Sequence, residues 1–232
     1  MICTKPERQD ELYRLISDVG YASVDYLSKR TFISQSTIRR DLADLERAGL
    51  IVRRHGGAEL IENIGGVPIR SRMAKNHAAK VVIGKKAAKL AKTGSTIFLD
   101  ATSTCLELAR SLAGSVGLTV FTNGLNVASI LSDAGIETRI LGGRVIPRSN
   151  AIAGDDAVLS ALKVNFDMMF FSSTGFENDI ITGCLEQESN LLRVLLERSA
   201  KKYFLCDKSK FGIKAPFIVC RRDDVDKIIT ED

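Results

Sequence analysis

Tryptophan is absent from this chain of 232 residues, and histidine and proline are scarce, with two and four copies. His55 and His77 are too few to build metal chemistry, and no cofactor is expected. The five cysteines, Cys3, Cys105, Cys184, Cys206 and Cys220, are odd in number, widely scattered and without a Cys-x-x-Cys pair. That spacing excludes a disulfide framework and a zinc ribbon, and predicts reduced, mostly buried thiols. Nowhere do 18 apolar residues run together, and Met1 to Arg8 has no apolar core of a secretory signal. The expectation is a protein that stays in the cytoplasm and has no membrane partner. A strong charge of one sign is lacking too: the formal net charge is +5, with 14 Lys and Arg against 10 Asp and Glu up to residue 80, and 19 against 18 beyond it. This mild basic bias of the first third suits a polyanionic partner without identifying one.

What is present between Arg8 and Leu42 is more specific. In Ser34-Gln35-Ser36-Thr37-Ile38-Arg39-Arg40-Asp41-Leu42, the residues Ile38, Leu42 and Leu45 recur at i, i+4 and i+7, which puts one apolar stripe on a helix. Ser34 is a natural N-cap, and Gln35, Ser36 and Thr37 then lie at the positive end of the helix dipole. Leu12, Leu15, Ile16 and Val19 predict a first helix ending near Gly20, and Ser23 caps a second helix anchored by Val24 and Leu27. The third helix is expected to end at Gly49. Residues 50–58, Leu-Ile-Val-Arg-Arg-His-Gly-Gly-Ala, then read as a basic strand turning through two glycines. For Arg39, Arg40 and Asp41 alone, a solvated, ion-paired helix face is an equal alternative. The wing tilts the reading to a winged helix-turn-helix.

These residues carry a resemblance. Arg8, Leu12, Ile16, a gap of 17 residues, Ser-x-x-Thr-Ile-Arg-Arg-Asp-Leu and Arg54-His55-Gly56-Gly57-Ala58 are similar to the DNA-binding domain of the DeoR family of bacterial sugar-responsive transcriptional regulators. That family usually has Leu-Gly before the apolar residue of the turn, where this chain has Thr31 and Phe32. Glycine suits a left-handed turn, so Phe32 implies strain or a reshaped turn. The resemblance implies a double-stranded DNA operator as partner. Gln35, Ser36, Arg39 and Arg40 are the candidates for base and backbone contacts, with Thr37, Arg53 and Arg54 on phosphates and His55 of the wing as a further phosphate contact.

Gly65-Gly66 ahead of Pro68 marks a composition break. The expected organisation is an all-α winged helix-turn-helix domain over residues 1–58, a linker over 59–73 and a mostly parallel α/β sensor domain over 74–232. Arg72, Asn76, Lys80 and Ile83 follow at helical spacing and predict one helix face, a candidate coupling element. Beyond residue 81, helical and short β-rich segments alternate, which predicts a parallel sheet. Strands are expected at Thr96–Asp100, Thr119–Thr122, Thr138–Leu141, Met168–Ser172, Tyr203–Asp207 and Lys227–Thr230, and helices near 81–92, 104–113, 125–132, 156–162 and 188–200.

In such sheets ligands collect at the carboxyl ends of the strands. There this chain places Asp100-Ala101-Thr102-Ser103-Thr104, Thr122-Asn123-Gly124, Gly142-Gly143, Ser172-Ser173-Thr174-Gly175 and Asp207-Lys208-Ser209-Lys210-Phe211. Each alone reads as a capped turn; five at equivalent positions point to a polar crevice. They resemble, in order and spacing, the DeoR-family sensor domain, which is related to ribose-5-phosphate isomerase and generally answers to phosphorylated sugars. The resemblance implies that Thr102, Ser103 and Thr104 cradle a phosphate, that Asp100 and Asn123 bind sugar hydroxyls beside Thr122, that Gly142 and Gly143 allow close backbone approach, and that Lys210 supplies positive charge. Thr102 stands where many members have Gly, which narrows the pocket.

The expected function is therefore a repressor of a carbohydrate-utilisation operon, acting as a dimer or tetramer and controlled by a phosphorylated sugar. A sugar-phosphate isomerase is the rival. Enediol chemistry needs a positioned carboxylate, and where the isomerases carry an Asp-Gly-Ala-Asp-Glu-like stretch this chain keeps at best Glu177. Binding without turnover, hence no enzyme, is the expectation; a scaffold that binds neither DNA nor metabolite is the third class.

Overall fold

The computed structural model describes residues 4–47, 50–60 and 68–232. Cys3, Gly49 and the Gly65-Gly66 pair lie outside the described residues. The chain divides into two compact units, Met1–Val67 and Pro68–Asp232.

The first unit runs α1 (Lys5–Val19), β1 (Tyr21–Ser23), α2 (Val24–Thr31), α3 (Gln35–Arg47), β2 (Ile51–Arg54) and β3 (Gly57–Leu60). The three strands pair antiparallel in the order β1-β3-β2, so this unit is not purely helical. The wing strand β3 runs two residues past the domain end expected at 58. Leu12, Leu15 and Ile16 of α1, Leu27 of α2, and Ile38, Leu42 and Leu45 of α3 close on one core with Ile51 and Ala58 of the wing. The Ser23 hydroxyl caps α2 by accepting from the Tyr26 N–H at 3.0 Å.

The second unit starts with α4 (Ile69–Ala74), inside the stretch expected as linker, and α5 (His77–Ala88). It continues through β4 (Thr96–Leu99), α6 (Ser103–Ser111), β5 (Thr119–Thr122), α7 (Leu125–Asp133), β6 (Glu137–Ile140), β7 (Arg144–Ile146), β8 (Ala151–Ala153), α8 (Asp155–Ala161) and β9 (Phe166–Phe171). β10 (Gly175–Glu177), β11 (Ile180–Gly183), α9 (Glu186–Glu197), β12 (Ser199–Leu205), β13 (Phe217–Arg221) and β14 (Lys227–Ile229) complete it. Six strands form a sheet in the order β14-β12-β9-β4-β5-β6, with every pairing parallel.

Strand periodicity explains the layers. Ile97, Leu99, Met168 and Phe170 face a core shared with α5, α6 and α7, while the alternate residues Phe98, Met169 and Phe171 face one shared with α8 and α9. Both sides are thereby covered, as a parallel sheet requires. A three-stranded antiparallel sheet, β10-β11-β13, and a β7-β8 hairpin sit beside it.

One expectation is corrected. Arg72, Asn76, Lys80 and Ile83 do not share a helix: Asn76 takes a left-handed conformation, φ 53°, which breaks the chain into α4 and α5. The spacing was helical, but an Asn tolerates that corner and ends the run.

Candidate functional site

The recognition segment begins at Ser34, whose hydroxyl accepts from the Thr37 N–H at 3.3 Å and lies 3.1 Å from the Ser36 hydroxyl and 2.9 Å from that of Thr37. Gln35, Ser36, Arg39 and Arg40 are all exposed, and Thr37 is half-buried. The Arg39 guanidinium reaches only its own helix, donating to Gln35 Oε1 at 3.2 Å, and Arg40 has no side-chain partner among the described residues. Asp41 separates from them. It is buried and receives a forked pair of hydrogen bonds from Arg8 Nε at 2.5 Å and Nη2 at 3.0 Å, which ties α3 to α1. The sequence pattern therefore mixes two jobs: Arg8 and Asp41 orient the helix, while Arg39 and Arg40 stay free to meet something outside.

In the wing, Arg53, Arg54 and His55 are exposed. Arg54 is held by Glu59 at 2.8 Å, and the Arg53 guanidinium lies 3.8 Å from Glu46. The Arg53 backbone N–H donates to the same Glu46 at 2.9 Å, docking β2 on α3. α3 and the wing thus each present exposed polar or cationic groups, hydroxyls, an amide and guanidiniums, of the kinds that suit a polyanion with readable edges.

The second constellation lies at the carboxyl ends of the parallel strands, with Asp100, Ser103, Thr104, Thr122, Asn123 and Asp207 buried, Thr102 and Lys210 half-buried, and Gly142 and Gly143 exposed. Asp100 follows β4. Its Oδ1 accepts from the Thr102 N–H at 2.8 Å and the Thr102 hydroxyl at 2.5 Å, and its Oδ2 from the Ser172 N–H at 2.7 Å. Both oxygens thus organise the loops after β4 and β9. Burial pushes this carboxyl above the usual range, and the Thr102 and Ser172 hydrogen bonds oppose that rise. Thr102 also caps α6, accepting from the Cys105 N–H at 3.3 Å. Ser103 and Thr104 open the helix, both buried.

After β5, the Thr122 hydroxyl accepts from the Gly124 N–H at 3.0 Å, and Asn123 Nδ2 donates to the Ile152 carbonyl at 3.1 Å. Gly124 is required here, since a Cβ would sit 2.8 Å from Ala101 Cα and force the two loops apart. Gly142 and Gly143 follow β6. Gly143 has φ 136° and packs close to Ala153 and Ala157, so the structure places it in the turn supporting α8.

After β12, Lys210 Nζ donates to the Ser172 hydroxyl, which in turn donates to the Leu205 carbonyl. Burial lowers the Lys210 pKa, against the pull of the Asp207 charge. Asp207 accepts from the Ser209 hydroxyl at 2.6 Å and from Asn76 at 3.0 Å. Its pKa is held below the usual range: burial pushes up, and the Ser209 and Asn76 hydrogen bonds and the Lys210 charge outweigh it.

Sequence reasoning did not assign four further members. Arg72 of α4 lies in the fields of Glu188 and Asp100. Glu188 accepts from the Ser149 hydroxyl at 2.8 Å; burial raises its pKa, and Ser149 and the Arg72 charge oppose the rise. Lys80, 4% exposed, donates to the backbone carbonyls of Arg72 and of Lys75, the latter at 2.6 Å, and so caps the end of α4. Burial, with the nearby Lys210 charge, brings it down to about 8. A Glu and a Ser on surface-like stretches, 39 residues apart, gave no signal. The Arg72 and Lys80 spacing was visible but not its meaning.

Four buried polar atoms in this unit have no partner among the described residues: Arg72 Nε, Thr104 Oγ1, Asn123 Oδ1 and Glu231 Oε2. Thr104 is fully buried and Asn123 is 5% exposed. An orphaned donor or acceptor costs about 1–3 kcal/mol, so each needs a reason. The first three, two donors and an acceptor, suit a ligand offering both anionic oxygens and hydroxyls.

Comparison with known proteins adds to this geometry. The family model for the DeoR-like helix-turn-helix domain matches residues 8–63, and that for the DeoR C terminal sensor domain matches 75–232. The HTH-type transcriptional regulator GolR of Listeria innocua is 34% identical over 228 residues, 97% of this chain and 90% of that protein. The lactose phosphotransferase system repressor of Streptococcus mutans is 34% identical over 214 residues, 90% of this chain and 84% of that protein. Among solved structures, eIF2B delta from Chaetomium thermophilum superposes with a TM-score of 0.52 at 18% identity, over 68% of this chain and 57% of that one, a likeness of fold.

Proposed function

The chain belongs to the DeoR family of transcriptional regulators, and we propose that it is a repressor of a carbohydrate-utilisation operon whose hold on operator DNA is set by a phosphorylated sugar or sugar intermediate. Three of the four orphaned atoms, Arg72 Nε, Thr104 Oγ1 and Asn123 Oδ1, carry the sensing half of this reading. A phosphate oxygen would accept from Arg72 and Thr104 at the start of α6, where the helix dipole favours an anion. A sugar hydroxyl would donate to Asn123. Thr102, Ser103 and Thr122 shape the cradle, Gly142 and Gly143 its rim, Lys210 adds charge, and Asp100 holds the loops rather than the ligand.

Access to so buried a site requires movement. α4 carries Arg72, begins two residues after Val67 and is tethered by the Lys80 ammonium and by the Ile69 N–H donating to the Arg148 carbonyl at 2.8 Å. Displacement of α4 on ligand entry would act directly on the chain leading from the DNA-binding unit, which is a route for coupling. A ligand shifts that equilibrium only by its preference for one arrangement. Gln35, Ser36, Arg39 and Arg40 would face base edges and backbone, with Thr37, Arg53, Arg54 and His55 on phosphates, in a cytoplasmic homo-oligomer reading repeated half-sites. The relative named as a lactose phosphotransferase system repressor supports the class of operon.

Two measurements test the reading. Salt-sensitive retention of the chain's own promoter fragment is expected, and its absence would overturn the DNA half. In a thermal-shift screen of phosphorylated sugars, a true effector at 100 times its Kd adds about 2.7 kcal/mol of stability. Turnover is not expected: Glu177 lies half-buried on β10 opposite Ile180, and Asp100, Asp207 and Glu188 are all held by hydrogen bonds. Isomerase activity lost in Glu177→Ala would reverse that conclusion.

A further inference from the structure

Phe32 is 95% exposed, more than any other large apolar side chain among the described residues. It also ends α2 in the left-handed conformation, φ 58° and ψ 30°, which bulky side chains rarely adopt. Its neighbours fix the turn around it. The Thr31 hydroxyl donates to the Leu27 carbonyl at 2.7 Å, the Ser28 hydroxyl to the Ile33 carbonyl at 2.5 Å, and the half-buried Ile33 packs on the core. With Ile33 in the apolar slot, the Phe32 ring has nowhere to go but outward. The position therefore carries both a backbone strain and an exposed aromatic ring, with almost none of its surface covered by the described residues.

The surroundings of the ring indicate what it meets. Two residues before it, Arg30 is exposed and without a side-chain partner among the described residues, and two residues after it Ser34 opens α3 with Gln35, Ser36 and Arg39 exposed. An apolar protein face laid on Phe32 would have to desolvate these guanidiniums. Duplex DNA would not, because phosphates take the cations while the groove edge offers an apolar group, the thymine 5-methyl. Resting on the DNA-binding reading above, we infer that Phe32 is a specificity contact, its ring seated against the 5-methyl of a thymine at the flank of each half-site.

The probe is a duplex selected from a randomised pool by the full-length wild-type chain. Phe32→Gly relieves the backbone and is expected to melt no lower than wild type while binding this duplex about tenfold more weakly, with an unchanged salt slope because no phosphate contact is lost. Replacing flank thymines one at a time by deoxyuridine should weaken wild-type binding several-fold at one position and leave Phe32→Gly indifferent there. Phe32→Asn, which also tolerates the left-handed conformation, should behave like the glycine variant. Equal affinity of wild type and both variants, or a deoxyuridine penalty shared by all three, overturns the inference. So does an affinity loss accompanied by a fall in oligomer size in sedimentation, which would place the ring between copies of the chain. Failure of the wild type to select any duplex would instead bring down the DNA-binding reading itself.

Discussion

The two polar regions of this chain handle charge in opposite ways. On α3 and the wing the functional side chains stand in solvent: Gln35, Ser36, Arg39 and Arg40 are exposed, and Arg39 reaches no further than Gln35 on its own helix. At the strand ends Asp100, Asn123 and Thr104 are buried, as is Lys80 on α5, and Asp100, Asp207 and Glu188 are each engaged by a neighbour. The first region needs no rearrangement to bind a polyanion. On the proposed reading the unpartnered atoms of the second are reached only past buried side chains, so a ligand bound there would have to move the protein. This is the physical difference between a reader and a sensor.

The comparison can be attacked where it is strongest. Arg8→Ala leaves the buried Asp41 carboxylate without its forked partner, and the first unit should lose about 3–5 kcal/mol, read by denaturant unfolding. A loss below about 1 kcal/mol would mean that α3 is oriented by packing alone. Next in size, Arg39→Ala should weaken specific operator binding by about 1–3 kcal/mol if the guanidinium reads a guanine, without changing unfolding. Equal loss on all sequences would reduce it to a phosphate contact.

The buried side is tested by pH. Burial lowers Lys80 in the folded chain to about 8, so between that value and the ordinary 10.5 the unfolded chain holds a proton that the folded one has released. Stability contributed through this group therefore rises with pH across that window, and below it the buried charge costs stability without further change. The difference in melting temperature between wild type and Lys80→Met should grow in favour of wild type from pH 7.5 to 9.5; a flat difference would show the ammonium to be solvated. Smallest of all, Thr104→Val removes a hydroxyl that has no partner among the described residues, and unliganded stability should change by less than about 1 kcal/mol while effector response is lost. An unimpaired response would displace the proposed cradle.

The legible parts of the sequence were those governed by local periodicity. The central parallel strands were the most legible, because β4 and β9 carry apolar residues that face cores on both sides, as with Phe166 to Phe171. Ser23 and Ser34 as caps, and Phe32 in a left-handed turn, were legible because those constraints act within a few residues. The β7-β8 hairpin and the β10-β11-β13 sheet were not, since these antiparallel pieces lie outside the alternation of strand and helix by which the parallel sheet is read. The break at Asn76 was hidden for a related reason: helical spacing survives across a corner that only a backbone angle reveals.

By itself, then, the sequence determined the two-part plan, the capped third helix and the gathering of polar residues after the parallel strands, because hydrophobic period and turn chemistry are local properties. Tertiary structure alone decided which polar groups hold one another. It brought Arg8 to Asp41, Asn76 to Asp207, Ser149 to Glu188 and Lys80 under α4, and left Arg72, Thr104 and Asn123 each with an atom unanswered. Hydrogen bonds and desolvation depend on which groups meet in space, and residues as far apart as 131 positions carry no mark of that meeting in their order along the chain.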